Sequence, residues 1–168
     1  FTAVDKAEEA QELCQKLNAE SPAYLAYAVA QRGGWMIQIG TDYVFDGTNY
    51  TPYTEDDDTC PDSVYGSTKL VGEFNVQKLC PQSMIIRTAW LYSEFGKNFC
   101  KTILNLTATK PQLKVVFDQV GTPTYAYDLA TAIVAILENP LEGVYHYSNE
   151  GVCSWYDFTK MIAKIAGN

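Results

Sequence analysis

Three short apolar runs, at residues 35–39, 84–88 and 143–147, are separated by long stretches that carry helical chemistry. Each run is continuous rather than alternating, as in a strand buried on both faces, and each is too short for a helix. Strands that recur with helical segments between them favour an α/β layered fold, a mostly parallel sheet with helices on both faces. In such folds ligands bind outside the carboxyl ends of the strands.

The spacing predicts helix from Asp5 to Arg32, with a second helix starting near Asn18 or Ser21-Pro22, where proline is tolerated in a first turn. Gly33-Gly34 end it, and the first strand delivers Thr41 and Asp42 to its C-terminal end. A polar loop follows, with a turn at Asp46-Gly47-Thr48-Asn49 and an acidic run Glu55 to Asp58 that reads as a solvated face. Helix is expected after Ser63 as far as Cys80, at 98–109, at 125–138 and at 155–166, the last capped by Ser154 and closed by Gly167. A further strand is expected at 113–117.

A chain of 168 residues that is 47% hydrophobic supports one core, so a single domain over 1–168 is expected. Twenty acidic against twelve basic side chains leave a net charge of -8, which repels phosphate backbones and anionic membranes; no nucleic acid and no membrane partner is expected. Five scattered cysteines without a C-x-x-C pair read as reduced thiols, and with no spanning run or signal peptide the cytoplasm is the expected compartment. His146 is the sole histidine, which leaves a Ser-His-Asp hydrolase and a zinc site poorly supplied. Among strand residues it reads as structural.

The chemistry concentrates at Tyr65-Gly66-Ser67-Thr68-Lys69. Four residues apart on a helix, the phenol and the ammonium share a face. A phenol's ordinary pKa of about 10 leaves little phenolate at neutral pH, and a neighbouring ammonium and hydroxyl are expected to bring it down. Tyr65 then exchanges a proton with a carbonyl or alcohol oxygen. The competing reading is an ordinary exposed pair on an amphipathic helix.

Four ordered segments bear on that choice: Thr41-Asp42-Tyr43-Val44-Phe45-Asp46-Gly47, Val64 to Lys69, Arg87-Thr88-Ala89-Trp90-Leu91-Tyr92, and Asp118-Gln119 with Gly121-Thr122-Pro123-Thr124. Together with Thr2 to Glu8 and Gly96 to Phe99, they resemble the dTDP-4-dehydrorhamnose reductase family of the extended short-chain dehydrogenase/reductases, over nearly the whole chain. The resemblance implies the C-terminal part of a Rossmann-like fold and reduction of a 4-keto sugar nucleotide by NADPH or NADH. It makes Thr41, Tyr65 and Lys69 the catalytic trio, with Tyr65 and Lys69 also touching the cofactor beside Phe1 and Thr2. Thr41, Asp42, Tyr43, Val44, Trp90 and Asn98 fall on the substrate side. For Trp90 the alternative is a packed core aromatic. Asn98, with Lys97, is matched equally well by a substrate-phosphate contact and a helix cap, and Asn18 by support of the active-site helix and a helix start. Some relatives bind magnesium at a dimer contact, but its ligands are not placed here; a homo-oligomer is expected.

The sequence departs from that family in two respects. No G-x-G-x-x-G turn occurs, and Gly40 stands where relatives commonly carry serine. The segment reads as an internal fragment that by itself binds NADPH poorly, turns nothing over and self-associates through an open sheet edge. Two rivals share the motifs. One is a binding module like the regulatory subunit of methionine adenosyltransferase; the other is a sugar-nucleotide epimerase or dehydratase, for which Asp42 is the one carboxylate placed near the trio.

Overall fold

A computed structural model describes residues 2–167. Phe1, assigned to the cofactor side by the resemblance, lies outside the described residues. In chain order the elements are α1 (Val4–Ala7), α2 (Gln11–Cys14), a π-helical stretch Gln15–Glu20, α3 (Ser21–Ala30), β1 (Met36–Thr41), a 3-10 turn Asp42–Val44, α4 (Val64–Leu79) and β2 (Ser83–Thr88). There follow β3 (Leu91–Tyr92), α5 (Phe99–Thr109), β4 (Val120–Gly121), β5 (Thr124–Tyr125), α6 (Ala126–Glu138), β6 (Gly143–His146), β7 (Cys153–Ser154) and α7 (Trp155–Ala166). The chain divides into two compact units: the residues up to Thr88 with Asn139–His146, and Ala89–Glu138 with the chain from Tyr147 on.

The first unit is built on the parallel sheet β1-β2-β6. Its register sets Gly40 beside Arg87, Thr41 beside Thr88 and Arg87 beside His146, so all three strands end at one edge. Ile85, Val76, Ala26 and Cys80 are buried together on one side of the unit's core, and Val44, Phe45 and Leu70 form a second cluster under the loop. The expected break near Asn18 is absent: helix runs from Gln11 to Ala30, widened into a π-turn just before Pro22. Proline has no N–H for the usual helical bond, and a π-turn accommodates the irregularity.

Helix α4 is fixed at its start by two side chains. Ser63 Oγ accepts the Gly66 N–H at 3.0 Å, and Glu8 Oε1 accepts the Val64 N–H at 2.8 Å. Two helix-interior glycines, each unfavourable by about 1 kcal/mol against alanine, are explained by contact. A Cβ on Gly66 would strike the Tyr43 carbonyl, and one on Gly72 the Asn18 carbonyl. The missing side chains let α4 lie directly on the 3-10 turn and on the π-turn.

In the second unit β3 pairs with β5 in parallel, β4 with β7 antiparallel, and α5 packs with α7. Helix α7 has the expected start, a capping box in which Ser154 Oγ accepts the Asp157 N–H at 3.0 Å and Asp157 accepts the Ser154 N–H at 3.1 Å. The strand expected at 113–117 does not form: the segment is irregular, with Phe117 69% exposed. Apolar residues there found no neighbouring strand to supply the ladder their backbone needs. The four two-residue strands are too short to show a period in sequence.

Candidate active site

The end of β1 and the first turns of α4 bring five of the expected residues together. Thr41, 4% exposed, is the last residue of β1 and caps the 3-10 turn, its Oγ1 accepting the Tyr43 N–H at 3.2 Å and donating to Asp42 Oδ1 at 3.2 Å. The Tyr43 ring stands edge-on to Tyr65, with centroids 5.5 Å apart and planes at 83°. Lys69, one turn after Tyr65, sends its Nζ back to the Ile39 carbonyl at 2.6 Å. Both Tyr65 and Lys69 are half-buried, so the exposed-pair reading of the sequence does not hold.

The electrostatics correct one expectation. Burial pushes the Tyr65 phenol above its ordinary value, outweighing a hydrogen bond with Thr41 that lowers it, and the Asp42 and Tyr43 charges add to the rise. Burial likewise raises the Asp42 carboxyl and lowers the Lys69 ammonium, the latter against the pull of Glu73. The desolvation that the site imposes was invisible in a spacing of residues. A phenol of this kind is a better-held proton donor than a phenolate source.

Asn18, 5% exposed, donates through Nδ2 to Thr68 Oγ1 at 3.2 Å. It sits inside the π-turn, not at a helix start, and it ties that turn to α4 between Tyr65 and Lys69. Val44, expected on the substrate side, is fully buried against Phe45 and Leu70, and its carbonyl accepts the Cys60 N–H at 2.9 Å; its side chain serves the core. Thr2 is exposed.

Trp90 and Asn98 belong to the second unit. Trp90 has a left-handed backbone (φ 49°), is half-buried, lies against Gly121, and stacks flat on Trp155 with centroids 3.4 Å apart. Asn98 is the cap of α5: Oδ1 accepts the Lys101 N–H at 3.1 Å, and Nδ2 donates to the Ser93 carbonyl at 2.6 Å. Among the described residues no cluster of His, Cys, Asp and Glu is suited to a metal ion, and no helix is long and apolar enough to cross a membrane.

Sequence reasoning missed Glu73 and Arg87. Arg87 Nε and Nη2 both donate to Glu73 Oε2, at 3.0 and 2.9 Å, and the guanidinium lies 5.4 Å from the centre of the Phe45 ring. Glu73 follows Lys69 by four residues, a signal that the sequence contained. It also missed the work of Glu55, whose Oε1 accepts the His146 N–H at 2.7 Å and so fastens the acidic loop to β6.

The family model of the RmlD substrate binding domain matches residues 1–168. The chain belongs to that family. A dTDP-4-dehydrorhamnose reductase of Escherichia coli (strain K12) is 43% identical over 98% of this chain and 57% of its own length. A spore coat polysaccharide biosynthesis protein, SpsK of Bacillus subtilis, is 41% identical over 99% of this chain and 59% of its own. Among solved structures, a dTDP-4-dehydrorhamnose reductase from Bacillus anthracis in complex with NADP is 39% identical and superposes with a TM-score of 0.97, covering 99% of this chain and 59% of that one. This RmlD substrate binding domain therefore spans just under three fifths of the length of the curated relatives it matches. A dTDP-glucose 4,6-dehydratase from Streptomyces venezuelae, 16% identical with a TM-score of 0.86 over 99% of this chain and 55% of its own, shares the α/β fold.

The NADP that the family implies fits the residues present at one end. Lys69 spends one of three ammonium N–H groups on Ile39 and has donors left for ribose hydroxyls, with the Tyr65 phenol on the same helix face. The glycine-rich turn that receives a pyrophosphate has no counterpart in these 168 residues.

Proposed function

We propose that the protein reduces the C4 keto group of dTDP-4-dehydro-L-rhamnose to give dTDP-L-rhamnose, and that these residues carry its proton-donating machinery. The observation that carries this is the convergence of Thr41, Tyr65 and Lys69 at the carboxyl end of β1. Relatives named for that reaction support it, as does the NADP in one of their structures.

NADPH or NADH, when bound, supplies the hydride. Tyr65 donates its proton to the C4 oxygen as negative charge develops there, which is where a fixed donor contributes most. Its raised pKa keeps the proton in place until then. Thr41, rigid at the strand end, orients the same oxygen. Lys69 holds ribose hydroxyls and places a positive charge beside the phenol. Asp42 and Tyr43 are assigned to the sugar by the resemblance; the 45% exposure of Tyr43 and its place, with Asp42, next to Thr41 support that reading. Trp90 and Asn98 are assigned to substrate by the resemblance, and Thr2 to the cofactor. The partner is a nucleotide sugar, and the reaction belongs to polysaccharide biosynthesis. The 168 residues in isolation are inactive, because they carry no pyrophosphate turn.

NADPH oxidation tests this, measured with dTDP-4-dehydro-L-rhamnose and the protein as its gene encodes it in full. Oxidation that requires the sugar nucleotide and is lost in Tyr65→Phe is the expected result. Tight cofactor binding with untouched substrate would replace the reductase by a binding module.

A further inference from the structure

Glu73 is 1% exposed and Arg87 7%, and the mechanism above uses neither. Both Arg87 nitrogens take the same carboxylate oxygen, Oε2. Among the described residues Oε1 has no hydrogen-bond partner. An ion pair this deep is costly to desolvate and is often no more stabilising than a well-packed apolar pair, so stability alone is a weak reason for it. Its surroundings supply another reason.

Arg87 is the register neighbour of Gly40, and its side chain reaches past that glycine to α4. A Cβ on Gly40 would strike Glu73 Oε1 and stand 2.9 Å from Arg87 Cγ, so the bare backbone at 40 is the notch through which the pair passes. Gly40 lies between Ile39, whose carbonyl holds Lys69 Nζ, and Thr41. Glu73 and Lys69, four residues apart on one face of α4, thus reach two consecutive residues of β1. Lys69 is half-buried, and burial works against its charge.

We propose that Glu73 is a positioning residue of the trio, its buried carboxylate clamped by Arg87 against Gly40 so that the Lys69 ammonium stays charged and directed at the end of β1. This rests on the trio reading given above. The charged group that acts on Lys69 is Glu73 on α4, and Arg87 on β2 acts on Glu73 in turn; Asp42, after β1, acts on the neutral Tyr65 phenol.

The test reads Lys69 directly. Its acetylation rate is followed against pH by peptide mass spectrometry, in the protein as its gene encodes it, for the parent, Glu73→Gln, Glu73→Asp and the paired Glu73→Gln/Arg87→Met, which removes the stranded arginine. The midpoint is expected to fall by about one pH unit in both Gln variants and to stay near the parent in Glu73→Asp. In the NADPH assay the basic limb of the kcat/KM profile moves down by the same amount in the same variants. An unmoved midpoint in a folded Gln variant overturns the proposal, and so does loss of fold in all three, which would make the pair structural only. A Tyr65→Phe protein as active as the parent would instead sink the trio reading, and the labelling result would stand apart from it.

Discussion

At the scale of single residues, the site's chemistry follows from burial acting on a pattern the sequence displayed. The Tyr65–Lys69 spacing put a phenol and an ammonium on one face, but the sign of the phenol's shift came from desolvation, which only packing supplies. The sign has a kinetic consequence. An acid whose pKa lies above the ordinary phenol value of about 10 is fully protonated at neutral pH. Its contribution to ketone reduction is therefore flat from about pH 6 to 8, and the first loss on the basic side of a stopped-flow NADPH oxidation profile is expected from Lys69, whose ammonium burial lowers, and not from Tyr65. Tyr65→Phe is expected to lower kcat by a factor of about 100 or more with little change in KM. Gly40→Ala is expected to destabilise the fold by about 1–3 kcal/mol in urea unfolding, because the notch it fills is occupied by Glu73 and Arg87. The sequence marked Gly40 as unusual; it could not say what passes over it.

At the scale of elements, caps and close approaches decide where side chains are delivered. Ser63 and Glu8 fix the first turn of α4, and with it Tyr65. Asn98 does the same for α5, with both ends of its amide engaged. Asn98→Ala is expected to cost about 1 kcal/mol in thermal unfolding as the cap is lost. Asn98→Asp keeps the accepting oxygen and loses the donor to Ser93. If KM for the sugar nucleotide is unchanged in the Asp protein, the residue is a cap and not a phosphate ligand. The main helices and the parallel strands were legible because long periodic segments and buried runs declare themselves. The strand expected at 113–117 was not there because an apolar run says nothing of whether a partner strand is available. The π-turn at Gln15–Glu20 was likewise hidden, since its cause is the fit of Asn18 on α4 as much as the proline that follows.

For the whole molecule, β1 has β2 on one side and an open edge on the other among the described residues, while the relatives are longer by roughly two fifths of their length. An open, flat edge pairs with whatever strand is offered. The 168 residues made alone are expected to sediment above monomer mass and to show no thermal stabilisation by NADPH; a monodisperse monomer stabilised by NADPH would refute both expectations. The sequence by itself determined the alternating layers, the order of the motifs and the family, because periodicity and motif spacing are local properties of a chain. Only the tertiary structure decided that the Val44 side chain is buried in the core, that the Asn98 amide caps α5, that the Tyr65 phenol is raised, and that Glu73 and Arg87 meet across Gly40. Burial and the pairing of residues distant in sequence exist only once the chain has folded.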